Sequence, residues 1–324
     1  MKIAFAGLRH GHIFVLYQMA KDNPLYEITG AFEENNDARA AAQAQGVVCN
    51  YVNYEALLAD PEVEAVALGG CYADRGGMAI AALKAGKHVI ADKPLCTSLE
   101  ELDTIEMLAK EKGLQVSCMF TMRYEKRIRA LKTLFESGVL GEINNVYFGG
   151  QHPLQYGRRP MWYFEEGKHG GIINDIAIHG IDALSYALHL ETDKIVAART
   201  WNKLAAEQPN FKESGQIMLT TKNGAGVLAD VSYTIPDGVE FALPYYWQFY
   251  IWGTKGVIRF SLNDEKAYYY LAGEKEPRLL EEPEIESDYL TDFVNLVNGK
   301  DSALTMEEVI ASTRATLEIQ KAAE

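Results

Sequence analysis

FAGLRHGHIF, residues 5–14, follows a short apolar run and leads into a helical stripe. A dinucleotide-binding fold places its phosphate loop at this point of the chain. The usual pattern there is G-x-G-x-x-G. Here Gly7 matches the first glycine, Arg9 takes the second place and His12 the third, with Gly11 between them. Glycine in such a loop permits a tight turn and lets backbone N–H groups approach a pyrophosphate at the helix N-terminus. Gly11 can supply that approach instead of position 9, and Arg9 and His10 can donate to phosphate oxygens. A plain β–α turn that uses Gly7 for its backbone freedom is the competing reading.

The segments downstream repeat one grammar. Residues 2–6 read as a buried strand, and 12–21 as a helix with Ile13, Leu16, Tyr17 and Ala20 on one stripe. Strands follow at 26–33, 63–70, 88–92 and 114–120, separated by helices at 36–45, 77–86 and 98–112. Strands alternating with helices specify a parallel, doubly wound sheet whose ligand site lies at the carboxyl ends of the strands. Glu33 ends the second strand of this set, where a carboxylate accepts from the adenosine ribose and repels a 2′-phosphate, so NAD is favoured over NADP. Glu34 is its neighbouring rival.

After about residue 120 the pattern changes. A helix is expected over 125–137, then extended segments at 143–151, 195–202, 215–222, 226–234, 246–253 and 256–262. TTKNGAGV and IWGTKGVI read as hairpin connections, so the second sheet should be mostly antiparallel. Residues 274–288 are acidic and read as an exposed connection, Tyr268–Tyr270 as strand, and Thr305 with Glu308 as the capping box of a final helix. Domains are expected at 1–121 and 122–324.

The 324 residues carry a formal net charge of −14, which disfavours nucleic acid and anionic membranes as partners. The four cysteines are dispersed, which points to reduced thiols and not to a disulfide framework. No basic leader precedes the first strand and no apolar run approaches bilayer length, so a cytoplasmic protein is expected. No His, Asp or Glu set has metal-ligand spacing, and no metal is expected, although His10 and His12 sit on the loop.

Two further stretches carry chemistry. In ALKAGKHVIADKPL (82–95), Lys93 ends a strand before Pro94 and projects an ammonium toward the expected cofactor crevice. In GGIINDIAIHGID (170–182), Asp175 and His179 are four apart and share a helix face, with Asp182 three further on. An ordinary polar helix face is the bland reading of either residue alone.

These stretches resemble motifs of the Gfo/Idh/MocA family of NAD(P)-dependent oxidoreductases. AGKHVIADKP resembles AGKHV-x-x-EKP, with Asp92 for the usual Glu; GGIINDIAIHGID matches GG-x-x-x-D-x-x-x-H-x-x-D at every fixed position; and residues 120–143 resemble the stretch ending G-x-x-GEI. Two further places depart from the family pattern. Arg9 replaces a glycine, and CYADR (71–75) puts Cys71, Tyr72 and Arg75 where the family often has Pro, Asn and His.

The resemblance covers nearly the whole chain and implies an N-terminal Rossmann domain plus a C-terminal α/β domain with a large open sheet. It further implies a homodimer or homotetramer formed through that sheet. It implies catalytic roles for Lys93, Asp175 and His179, with Lys93 and His179 meeting over a nicotinamide ring. Gly7, Leu8, Arg9, His10, Gly11, His12, Glu33, Cys71, Tyr72, Lys93 and Pro94 become candidate cofactor contacts. Arg123, Tyr124, Trp162, Asp175 and His179 become candidate contacts to a small polar substrate, with Arg158, Arg159, Tyr163, His152 and His169 nearby in sequence or composition. The expected activity is NAD-dependent oxidation of a secondary alcohol of a sugar, polyol or related hydroxy compound. A lyase or glycosidase acting by transient oxidation on tightly bound NAD, and a non-catalytic NAD- or sugar-binding regulator, are the alternatives.

Overall fold

The computed structural model describes residues 1–324 except 240, 244, 245 and 286. The chain forms two compact units. One comprises Met1–Met119, Glu165–Gly170 and Ser287–Arg314; the other comprises Phe120–Phe164, Gly171–Glu286 and Ala315–Glu324. Each unit draws on segments that are not contiguous in sequence.

The first unit is built on five parallel strands, β1 (Lys2–Leu8), β2 (Glu27–Phe32), β3 (Ala65–Gly69), β4 (His88–Ala91) and β5 (Val116–Cys118). Their spatial order is β2-β1-β3-β4-β5, so the chain reverses its direction of travel across the sheet between β1 and β3. β1 and β3 are buried along nearly their whole length, as a sheet covered on both faces requires. The helices are α1 (His12–Asp22), α2 (Asn36–Ala44), α3 (Tyr54–Ala59), α4 (Tyr72–Lys84) and α5 (Leu99–Lys112). Local chemistry sets their ends. Asn35, Asn53 and Ser98 each accept a backbone N–H as N-caps, and Gly113 closes α5 in the left-handed region at φ 65°.

The second unit begins with α6 (Lys126–Glu136) and β6 (Ile143–Pro153). A 3₁₀ turn (Met161–Tyr163) and a π turn (Ile173–Ala177) precede α7 (Ile178–Leu188). The remaining strands are β7 (Thr192–Trp201), β8 (Ser214–Thr221), β9 (Gly226–Ile235), β10 (Gln248–Gly253), β11 (Gly256–Ser261), β12 (Tyr268–Leu271) and β13 (Arg278–Leu279). They form an eight-stranded sheet in the order β13-β12-β11-β10-β6-β9-β8-β7. Among the described residues only the β6–β9 pair of this sheet is parallel, and both expected hairpins are present. The acidic stretch 274–288 contains the two-residue edge strand β13; Glu286 in it lies outside the described residues.

Two helices have no counterpart in the sequence reading, α3 and α8 (Tyr289–Val297). α8 packs against α1 within the first unit, where the Tyr26 hydroxyl donates to Leu290 O at 2.6 Å. The last helix, α9 (Met306–Ala322), starts with the expected capping box: Thr305 Oγ1 accepts from Glu308 N at 3.2 Å and the Glu308 carboxylate accepts from Thr305 N at 2.9 Å. All four cysteines are unbridged. Among the described residues no helix is long and apolar enough to cross a membrane.

Candidate functional site

In the first unit the loop after β1 is packed backbone on backbone. Gly7 has φ +72°, and a Cβ there would stand 2.5 Å from Gly70 N and 2.6 Å from Gly70 Cα. Gly7→Ala is therefore expected to cost about 1–3 kcal/mol in backbone strain alone. It should also weaken NADH binding, a joint loss that thermal melting and fluorescence titration would check. The amides of Arg9 and His10 both donate to Gly69 O, at 3.0 and 3.1 Å. α1 then starts at N-cap Gly11 with no side-chain cap and no acidic residue in its first turn. Its positive end is thus left for an anion.

A cleft of about 520 Å³ opens beside this turn, lined by residues that include Gly7, Arg9, Glu33, Glu34, Arg39 and Gly70. Glu33 is 2% exposed; it accepts from Leu8 N with one carboxylate oxygen and from Asn35 N at 2.8 Å with the other. It therefore braces the loop while it lines the cleft, and Glu34 beside it is exposed. A close-packed glycine turn, an uncapped helix start and acidic side chains past β2 fit the pyrophosphate and adenosine ribose of a dinucleotide. Gly70, Asp74 and Met78 line the cleft on the α4 side. Cys71 and Tyr72, expected as cofactor contacts, are buried as the N-cap and first residue of α4 and are not among the residues lining the cleft. Burial pushes the Cys71 thiol up to about 11.

Beside the loop lies a charged cluster. Lys93 and Pro94 follow β4 across a cis peptide bond, and Lys93 is 6% exposed. The Asp92 carboxylate is fully buried and accepts from Arg75 at 3.0 Å, from His10 Nδ1 and from His12 Nδ1 at 3.2 Å. Burial alone would raise Asp92, but its neighbours outweigh that, His10 first and then the Arg75 guanidinium, and hold it well below the usual carboxylate range. Burial lowers His10 to about 4, so its ring is neutral near pH 7. An ionised carboxylate only accepts, so His10 donates from Nδ1 and leaves Nε2 to accept from the Tyr72 hydroxyl at 3.3 Å. His10, expected to face phosphate, is instead turned into this cluster. His10, His12 and Asp92 put their ligand-type atoms within 4.8 Å of one another. The Arg75 guanidinium already on that carboxylate argues against a cation joining them.

In the second unit the π turn and α7 carry the other motif. Asp175 is fully buried and accepts from the Tyr233 hydroxyl. Burial, then the Asp175 charge, holds Tyr233 well above the usual tyrosine range, so it remains a donor. His179 is 8% exposed, with Trp247 edge-on at 5.7 Å. π turns recur at functional sites. The glycine before this turn serves a neighbour: a Cβ on Gly171 would stand 2.1 Å from the Gln320 side chain, whose Oε1 accepts from Ile173 N at 3.0 Å.

Arg123, expected to contact substrate, is instead fully buried in a two-pronged pair with Asp182, both bonds at 2.8 Å. Trp162 is 2% exposed and packs on Tyr163 at 4.3 Å, and Tyr124 lies 5.1 Å from the Arg129 guanidinium. His152 is ringed by Tyr233, Phe241, Tyr246 and Trp247. The sequence reading missed Tyr233, on β9, and Trp247, just before β10, both more than fifty residues along the chain from the motif. It noted Arg75 and Asp92 separately as departures from the family pattern; their complementary charge was the signal that they pair.

A parallel sheet with a glycine-turn cleft at its switch point has the architecture of a Rossmann-type dinucleotide-binding unit. Residues 1–120 match the Gfo/Idh/MocA model described as an oxidoreductase family with an NAD-binding Rossmann fold, and 128–259 match its C-terminal domain. The chain belongs to the Gfo/Idh/MocA family. It is 27% identical over 201 residues to myo-inositol 2-dehydrogenase of Thermotoga maritima, covering 61% of this chain and 58% of that protein. It is 26% identical over 212 residues to levoglucosan dehydrogenase of Pseudarthrobacter phenanthrenivorans, covering 63% and 53%. The chain thus spans somewhat over half the length of these relatives. A solved structure from Erwinia carotovora atroseptica SCRI1043 superimposes with a TM-score of 0.88 at 25% identity, covering 100% of this chain and 99% of that one. Levoglucosan dehydrogenase in complex with NADH shares the fold, with a TM-score of 0.81 at 19% identity and coverage of 100% and 96%.

Proposed function

We propose that this chain is a dehydrogenase that transfers hydride between NAD and a secondary alcohol of a sugar, polyol or related hydroxy compound. The observation that carries this reading is the cleft beside the loop after β1, with Lys93 just past the carboxyl end of β4 in the same unit. Relatives named as inositol and levoglucosan dehydrogenases support the substrate class. The nicotinamide, when bound, supplies the hydride acceptor. Lys93 offers an ammonium to the oxygen on which negative charge develops. His179 is the proton acceptor, the imidazole being the general base this site offers to a hydroxyl proton. Asp175, fixed by Tyr233, holds substrate hydroxyls. The test is reduced-nicotinamide absorbance on a panel that includes myo-inositol and levoglucosan. Turnover without added NAD would assign the tightly bound cofactor of a lyase instead, and NADH binding with no turnover across the panel would assign a regulator.

Glu33 and Glu34 at the adenosine end favour NAD, because a 2′-phosphate would meet their charge. NADH is expected to bind at least about tenfold tighter than NADPH, a preference of roughly 1.4 kcal/mol. The reverse order in a fluorescence titration would hand recognition to Arg39, which lines the same cleft.

The large sheet presents an apolar face with Val196, Met218, Leu228, Trp252, Val257 and Tyr270 between 36% and 55% exposed. Met218 pairs with Leu228 and Val257 with both Trp252 and Tyr270 across neighbouring strands, so the patches are contiguous in register. Patches of this kind mark association surfaces. This face supports the reading of a homodimer or homotetramer, in which Leu228→Lys with Trp252→Lys is expected to shift the mass in light scattering to that of a monomer.

A further inference from the structure

Arg75 is completely buried, and every arm of its guanidinium ends on the segments that carry Lys93 and face the phosphate loop. Nε donates to Gly70 O at 3.0 Å. One terminal nitrogen donates to the carbonyls of Asp92, Lys93 and Pro94 at 2.9, 2.6 and 3.2 Å. The other donates to the Asp92 carboxylate at 3.0 Å. That carboxylate also takes His10 and His12 of the loop. Tyr72 completes the set: its ring lies 4.6 Å from the Arg75 guanidinium carbon and 5.8 Å from Lys93 Nζ, and its hydroxyl meets His10.

A buried ion pair is a poor source of stability, since apolar side chains of the same volume do as well or better. What the guanidinium adds is direction, because five donors in one rigid plane fix several oxygens at once. Here three of those oxygens are consecutive carbonyls centred on Lys93.

We infer that Arg75 is a positioning residue: with Asp92 it fixes the Lys93 turn and the phosphate loop as one rigid piece, so that the lysine ammonium is held in place before substrate arrives. The inference rests on the reading above, in which Lys93 acts on the reacting oxygen. It also accounts together for two of the departures from the family pattern, Arg75 for the usual His and Asp92 for the usual Glu, as the two halves of one pair.

Arg75→Lys keeps the charge but loses the planar fork. It is expected to lower kcat by about 30–100-fold, the effect of a displacement on the order of 1 Å. KM and NADH affinity should stay within about threefold, which a general loss of packing would not spare. Arg75→His and Asp92→Glu should each be impaired, and the double variant should recover to within about tenfold of the parent, showing that the two sites act as a coupled pair.

A second readout needs no substrate. Labelling with an amine-reactive reagent, followed peptide by peptide by mass spectrometry, should modify Lys93 at least about fivefold faster in Arg75→Lys, with exposed Lys222 unchanged as the internal standard. If the parent protein turns over nothing on the panel, the assigned activity fails while this labelling still decides the positioning role. Unchanged Lys93 labelling in Arg75→Lys overturns the inference, as does a kcat equal to the parent's. Should Arg75→Lys not fold, the isosteric Asp92→Asn takes both readouts with the same deciding outcomes.

Discussion

Lys93→Met is expected to reduce kcat by about 10²–10³-fold, the range for removing one preorganised donor to a developing oxyanion. NADH affinity should stay within about threefold, because the cleft is lined by other residues and Lys93 is not among them. The size follows from the setting. The side chain is 6% exposed and its ammonium lies 5.8 Å from the Tyr72 ring centre, so it is largely withdrawn from water and its charge is weakly screened. Methionine keeps the length of the stem and removes the charge and the donors. Steady-state kinetics alongside NADH titration separates the two effects. Turnover within about tenfold of the parent would exclude Lys93 from the chemistry, and a parallel collapse of NADH binding would recast it as a cofactor contact.

Asp182→Ala should destabilise the protein by about 3–5 kcal/mol, the consequence of leaving a buried charge without its partner. Arg123 and Asp182 are both fully buried, and two bonds of 2.8 Å join guanidinium to carboxylate. The pair ties the turn at Thr121–Tyr124 to α7, two segments in contact within the second unit. At about 2–4 °C per kcal/mol for a unit of this size, the melting midpoint should fall by roughly 10 °C. Asp182→Asn should cost less, since the amide oxygen still accepts. The double variant Arg123→Met with Asp182→Leu should recover most of the loss, because removing both charges removes the unpaired one. A thermal double-mutant cycle checks all three. If Arg123→Met instead raised KM with no change in melting, the arginine would return to the substrate site where its sequence neighbourhood had placed it.

The two motifs fared differently because they report different things. GGIINDIAIHGID combines Asp175, His179 and Asp182 at helical spacing, and the structure puts Asp175 in the π turn and His179 and Asp182 in α7, which continues it. Spacing cannot say which of the three is neutralised. Asp182 meets Arg123, 59 residues earlier, and Asp175 meets Tyr233, 58 residues later. The glycine loop shows the same division. Gly7 was readable as a tight turn because its need is local, a positive φ beside another backbone. His10 was not readable, since its ring is claimed by Asp92, 82 positions away.

Most of the strand and helix alternation, the Thr305–Glu308 capping box and the hairpin connections were legible in the chain, because each depends on side-chain periodicity and backbone preference over a few neighbouring residues. From them came the parallel sheet with its site at the strand ends and the second, mostly antiparallel sheet. Only the folded molecule decided which charged groups pair with one another and which line the cleft, as it decided that residues 165–170 and 287–314 join the first unit. Burial and partner choice depend on surfaces brought together from distant segments, and at the low dielectric of an interior that choice settles whether a charge serves the structure or is held ready for a ligand.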